Sequence, residues 1–196
     1  FGFVLTSVLI IKKDVNRLAS LFLASFYGIY AIYALQTYII YAGFIDKFSW
    51  FYVWPLPIYN LIVVPIYFYF ITIIKDNFEW KWKYLILFLP FILGVIDITI
   101  VYSKPSNFYD QILQNATASP AQRFEQQYGL LRLNHHIILL HLWQFIYLIA
   151  LLPLLRRFLL IDAPVSAKST LNKWLLFFYI SLLMMSFLVT LYGIQR

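Results

Sequence analysis

The chain has 196 residues, of which 63% are hydrophobic and only 12% charged, with mean hydropathy +0.79 and a formal net charge of +7. Soluble domains carry about 25% charged residues, so half that amount leaves too little polar surface to face water all round and excludes an ordinary water-soluble globule. There is no cysteine, which excludes disulfides, thiolate metal sites and thiol catalysis.

Crossing roughly 30 Å of hydrocarbon takes about twenty mostly apolar residues in a helix. Backbone groups in lipid must be satisfied within the segment, so long apolar runs are read as helices. Six are predicted, giving an all-α integral membrane bundle. The first, 1–12, is short at its start. The second, 18–43, carries Tyr27, Tyr30, Tyr33, Tyr38 and Tyr41. The third, 53–74, opens with Pro55 and Pro57 and holds Pro65 inside. The fourth, 84–102, has Pro90 near its start. The fifth is 134–155 and the sixth 172–194. The chain opens at Phe1, without the charged n-region and cleavage site of a signal peptide. A piece of a longer protein is therefore expected, and a seven-helix module lacking one span fits the same pattern.

The connections set the expected orientation. With Phe1 outside, the inner connections hold Lys12, Lys13, Arg17, Lys75, Lys81, Lys83, Arg156, Arg157, Lys168 and Lys173. The outer ones hold Lys47, Lys104, Arg123, Arg132 and Arg196. Cations favour the cytoplasmic side of short loops, so the N-terminus is expected outside. The cations sit at the ends of apolar runs, where topology and anionic lipid explain the net charge better than nucleic acid does. The longest connection, 103–133, then lies outside. Its start, Ser103-Lys104-Pro105-Ser106-Asn107, is a helix breaker. Tyr109, Ile112 and Leu113 follow at helical spacing. Ser119-Pro120 reads as an N-cap with Pro at the first helical position, and Phe124, Tyr128 and Leu131 could form one helix face. One or two short amphipathic helices are expected, resting on the outer surface or capping the bundle.

An ionisable residue within a span is a functional candidate, and Asp97 is the clearest. Its closeness to Ser103 and Lys104 favours a plainer reading, in which the carboxylate is wet or paired with a Lys or Arg. His135, His136 and His141 open the fifth span. Their offsets of five and six residues place them ~140° and ~240° apart on a helix, unlike ligands at i and i+4, and no metal or haem is assigned. Interhelical or interfacial hydrogen bonding is the simpler role, with pH sensing as an alternative. Gln36, Asn60 and Gln144 are expected to hydrogen-bond between helices. Pro65 and Pro90 are expected to kink their helices and open space. No phosphate loop, nucleophile elbow or metalloprotease helix is present, so neither an enzyme nor a cofactor is expected.

The run Pro55-Leu56-Pro57, Val64-Pro65-Ile66-Tyr67-Phe68-Tyr69, Phe78, Trp80-Lys81, Phe88-Leu89-Pro90-Phe91 and Ile96-Asp97 resembles the membrane region of a group of bacterial regulators common in Bacteroidetes. In that group a multi-span module precedes a cytoplasmic AraC-type DNA-binding domain. Val64 stands where Gly is usual, and Phe88 where His is frequent. Lys12-Lys13 with Asn16-Arg17-Leu18-Ala19, Tyr147-Leu148-Ile149 leading to Leu155-Arg156-Arg157, and Lys173-Trp174-Leu175 extend the resemblance more loosely. It implies a signal receiver in the bacterial inner membrane, with Pro65, Tyr67, Tyr69, Pro90 and Asp97 the first residues to test. His135, His136 and His141 join them as candidate signalling positions. Expected partners are the lipid bilayer and a second copy or other subunits of a membrane complex, with no nucleic acid touching these residues. The alternatives are an accessory subunit of a larger membrane complex and a small transporter or channel.

Overall fold

A computed structural model describes residues 1–11, 16–160 and 168–195. Lys12, Lys13 and Arg196, counted among the loop cations above, lie outside them. The helices in chain order are α1 (Gly2–Ile11), α2 (Arg17–Tyr41), α3 (Leu56–Asn60), α4 (Val63–Lys75), α5 (Leu89–Ser103), α6 (Ser106–Ala118), α7 (Pro120–Glu125), α8 (Leu133–Leu160) and α9 (Lys168–Ile194). Among the described residues there is no strand, only an isolated bridge between Gln127 and Arg132.

Five stretches are long and apolar enough to cross a membrane: Arg17–Tyr41, Ser49–Lys75, Trp82–Ser103, Leu133–Leu160 and Asn172–Ile194. The architecture is that of an all-helical membrane bundle. The expected sixth crossing is not matched by a sixth long helix. Helix α1 has ten residues, about 15 Å at 1.5 Å per residue, or half the hydrocarbon thickness. It lies along α2, where a Cβ on Gly2 would come within 2.8 Å of the Ala31 Cβ and where Thr6 faces Gly28. Helix α2 starts where expected, with the Asn16 side chain accepting the Ala19 N–H at 3.1 Å.

The third span is broken rather than kinked. A 3-10 turn at Ser49–Phe51, the five-residue α3 and a turn at 61–62 precede α4. Pro65 has no N–H to offer the Leu61 carbonyl. The Val64 N–H takes that carbonyl instead at 2.9 Å, a tighter turn from which α4 starts. Pro90 likewise opens a helix rather than bending one. Residues Trp82–Phe88 are 3-10, and Pro90 is the second residue of α5. Helix α8 runs through Pro153 to Leu160, past the expected end at 155. The buried Leu155 and Phe158 beyond the proline keep that last stretch packed.

Burial singles out one span as the axis. In Ser49–Lys75, 72% of the most apolar window is buried, against 22–33% in the other four. Helix α4 is surrounded by α2, α8 and α9, with Phe70, Ile66, Leu148, Leu151, Leu155 and Leu175 fully inside. Lipid tails are as apolar as these side chains, so close packing rather than water exclusion holds the helices together. Aromatic contacts supply much of it: Phe70 meets Phe178 and Tyr179, and Phe68 meets Phe22, Phe78 and Tyr84. Helices α8 and α9 form an antiparallel pair, tied by the Tyr179 hydroxyl donating to the Leu148 carbonyl at 2.7 Å.

A second apolar cluster lies under a cap at the opposite end of the bundle from Lys75. It joins Ile45, Val53 and Val101 to Ile112 and Ala116 of α6 and to Tyr128. The cap is α6, α7 and the turn that follows. Ser119 caps α7 by accepting the Gln122 N–H at 3.2 Å. The helix ends at Glu125, so Tyr128 and Leu131 lie on the turn and not on one helix face as expected. The Tyr109 hydroxyl donates to the Ser49 carbonyl at 2.5 Å and fastens α6 to the third span.

Candidate functional site

The site begins with two glycines that let backbones come close. A Cβ on Gly94 would sit 2.8 Å from Asn60 Nδ2 and 3.1 Å from the Pro57 Cα, so α5 can meet α3 only because residue 94 has no side chain. Asn60 Nδ2 thereby reaches the Pro90 carbonyl and donates to it at 3.0 Å. One turn further along α5 stands Asp97. Over it passes the cap's turn, where Tyr128 N–H donates to the Leu131 carbonyl at 3.1 Å and Leu133 N–H to the Gln126 carbonyl at 3.0 Å. Gly129 is at the tip. A Cβ there would lie 2.7 Å from Asp97 Oδ1.

Three donors converge on the Asp97 carboxylate. Leu130 N–H donates to Oδ1 at 2.6 Å, Leu131 N–H to Oδ2 at 3.0 Å, and His136 Nε2 to Oδ2 at 2.7 Å. Both side chains of the Asp97–His136 pair are 1% exposed. The partners fix the imidazole tautomer. One Asn60 Nδ2 hydrogen goes to Pro90, and the other faces His136 Nδ1 at 3.4 Å. That leaves Nδ1 as the acceptor and Nε2 as the nitrogen bearing hydrogen, so a neutral ring completes the set. One carboxylate on α5 therefore holds both the cap and α8. The wet or cation-paired Asp97 expected from the sequence is corrected: its partners are two backbone N–H groups and a histidine. The cap's own ion pair, Arg132 with Glu125, lies outside this network and is exposed.

Beside the junction lies a cavity of about 430 Å3. It occupies the cap half of the bundle, between α2, α8, α9 and the 52–62 stretch. Its floor is Tyr30, whose hydroxyl donates to the Met185 Sδ at 3.7 Å. Its roof is Arg123 and Tyr128 from the cap. Arg123 lies over the Tyr41 ring at 5.1 Å. Asn60 and His136 form the wall toward Asp97. Burial holds the Tyr128 hydroxyl well above its usual range, and neighbouring Tyr52 adds to the effect, so it is a neutral group. The buried polar atoms of lining residues without a hydrogen-bond partner include Tyr59 Oη, His141 Nδ1 and Arg123 Nε. Buried polar groups are normally paired, so this cluster of unmet groups is unusual for a purely structural space.

Of the residues singled out in the sequence, Pro90, Asp97 and His136 come together in one network. His141 lines the cavity and His135 is exposed. Among the described residues no three His, Asp or Glu side chains converge as metal ligands would. Pro65, Tyr67 and Tyr69 lie outside the cavity lining, on α4. The Tyr67 ring meets Tyr84 and Tyr147, and the Tyr69 ring meets Phe178. Gln36 donates to the Phe51 and Tyr52 carbonyls at 2.9 and 2.6 Å. The Gln144 amide, by contrast, is buried without a partner at either atom. Residues not singled out were Gly94, Gly129, Tyr59 and Arg123 as a lining cation. Gly129 carries a readable signal, a lone glycine between Gln126-Gln127 and Arg132 in a connection that must turn. No known protein family, curated protein or solved structure matches the chain.

Proposed function

We propose that this chain is a membrane-embedded sensor region. A small molecule enters the cavity under the cap, and the Asp97 junction passes its presence to the packing of α3, α5 and α8. The observation that carries this reading is the contact between the two features. Asn60 and His136 are at once cavity wall and members of the Asp97 network. A ligand pressing on either one acts on the bonds that seat the cap. Small-molecule sites favour such places, apolar spaces of roughly 300–1,000 Å3 with a few convergent polar groups.

In the same proposal the output is a cytoplasmic DNA-binding domain of the AraC type carried outside these residues, as in the bacterial regulators that the sequence resembles. The cap then lies on the outer face of a bacterial inner membrane, and α1 belongs to a sixth crossing. A ligand can only bias two packings by its difference in affinity for them. A switch from 1:99 to 99:1 takes about 5.5 kcal/mol, so a tightly held ligand or a smaller switch is required.

The test is a reporter assay of the full-length parent protein in its host, comparing genome-wide transcription with and without Leu140→Trp. Leu140 lines the cavity, and the indole would fill part of it. A response locked at one level is expected. A variant that is present in the membrane and responds like wild type would remove the cavity from the mechanism.

A further inference from the structure

The chemistry of the lining says more than that a ligand fits. Arg123 contributes a full positive charge. Only 9% of the residue is exposed, and its Nε is buried with no partner. Among the described residues, the cavity lining contains no Asp or Glu to balance it. The carboxylate of the network, Asp97, is not part of the cavity lining and already receives three donors. The Tyr41 ring supports the guanidinium from one side, and a stacked guanidinium keeps its in-plane N–H groups for an acceptor. A buried cation without a counter-ion is costly, and the missing charge is negative. Below Arg123 the walls turn apolar, with Ile29, Leu140 and Val189 leading down to Tyr30 and Met185.

Resting on the reading of this cavity as a ligand site, we infer that it takes an amphipathic organic anion, its carboxylate held by Arg123 under the cap and its apolar body directed toward Tyr30 and Met185. The carboxylate could belong to a water-soluble aryl-alkanoate or to a fatty acid drawn from the bilayer, since both present one anionic head and an apolar tail. A cation is disfavoured by Arg123. A neutral molecule would leave the charge unanswered.

The experiment is calorimetric titration of the intact chain in lipid nanodiscs, with empty nanodiscs subtracted. The probes are 4-phenylbutyrate and decanoate, each against its alcohol, 4-phenylbutanol and decanol. At least one acid is expected to bind about tenfold or more tightly than its alcohol, the scale of a charge-assisted hydrogen-bonded pair. Which acid does so separates the soluble source from the membrane source. Arg123→Gln should bring that ratio to about one. Arg123→Lys should keep a preference for the acid, and Arg132→Gln should leave it unchanged, because Arg132 is paired with Glu125 outside the cavity. Retained preference in the Lys variant shows that position 123 tolerates substitution without loss of the fold. If acid and alcohol bind equally and Leu140→Trp abolishes both, the anion assignment is overturned while the cavity keeps its role as a ligand site. If neither acid binds wild type more tightly than about 1 mM, the anion assignment is overturned as well. The sensor reading then stands or falls by the reporter assay.

Discussion

Asp97→Asn removes one charge and changes the shape of the junction hardly at all. The carboxylate offers acceptors at both oxygens, and both are used: Oδ1 by Leu130 N–H, Oδ2 by Leu131 N–H and His136 Nε2. An amide has only one oxygen. If its NH2 takes the Oδ1 position, it confronts the Leu130 N–H. If it takes the Oδ2 position, it confronts two donors. The first arrangement loses least, and it still forfeits one bond to a charged acceptor and weakens two others. Hydrogen bonds to charged groups contribute about 1.5–3 kcal/mol each, and breaking a buried pair outright costs about 3–5 kcal/mol. The isosteric amide should therefore cost about 2–4 kcal/mol. The loss should be local before it is global. Leu130 is 62% exposed, so its amide has the carboxylate and not burial to protect it. Hydrogen exchange of the chain in nanodiscs should show slow amides at 130 and 131 in wild type and fast ones in Asp97→Asn, while α4 stays protected. Equal exchange in the two proteins, with equal unfolding midpoints, would refute the junction as described.

Gly129→Val should loosen the cap in the same way, because a Cβ at 129 would lie 2.7 Å from Asp97 Oδ1 and 3.0 Å from the Asp97 Cα. Overpacking of this kind costs about 1–3 kcal/mol, and limited proteolysis between 126 and 133 would report it. Gln144→Leu should raise the unfolding midpoint, worth about 1–3 kcal/mol, because both amide atoms are buried without partners and the substitution ends their desolvation cost. An unchanged or lower midpoint would indicate a partner for Gln144. Tyr128 bears on alkaline stability. Its hydroxyl is held above its usual range in the folded chain, so its contribution is intact below the unfolded value near 10 and is lost as pH rises beyond it. Tyr128→Phe should make the alkaline loss of stability less steep in pH-dependent unfolding, and an identical slope would exclude that contribution.

How much of this was readable depends on the range of the interaction. The Ser119-Pro120 cap and the start of α2 are local features, settled by neighbours three residues away, and both appear as the residue types suggest. The prolines of the third and fourth spans announced irregular helices. They did not announce that the irregularity would be a restart: the Val64 N–H taking the Leu61 carbonyl is a choice of one hydrogen bond over another. Asp97 stood out because a carboxylate in a span is costly. Its partners did not, because His136 is 39 residues away and the other two donors are backbone groups that carry no sequence identity. The close approaches at Gly94 and Gly129 are the trace such tertiary contacts leave, and a glycine has other uses. Pro65, Tyr67 and Tyr69 mark the buried axis of the bundle, where aromatic packing accounts for their contacts. Arg123 read as one loop cation among several, and only the fold turns it inward over the cavity.

The claim at the centre is that filling the cavity changes how the cap sits on the bundle. The direct measurement is a spin-label distance between the cap and the far half of α2, with labels at the exposed positions Gln122 and Ser25. Pulsed electron resonance in nanodiscs would compare the empty chain with the chain saturated by whichever acid binds more tightly, 4-phenylbutyrate or decanoate. The distance distribution is expected to shift on saturation, to stay put with the matching alcohol at equal concentration, and to lose its response in Arg123→Gln. A distribution that is the same with and without saturating acid would contradict the coupling of cavity to cap.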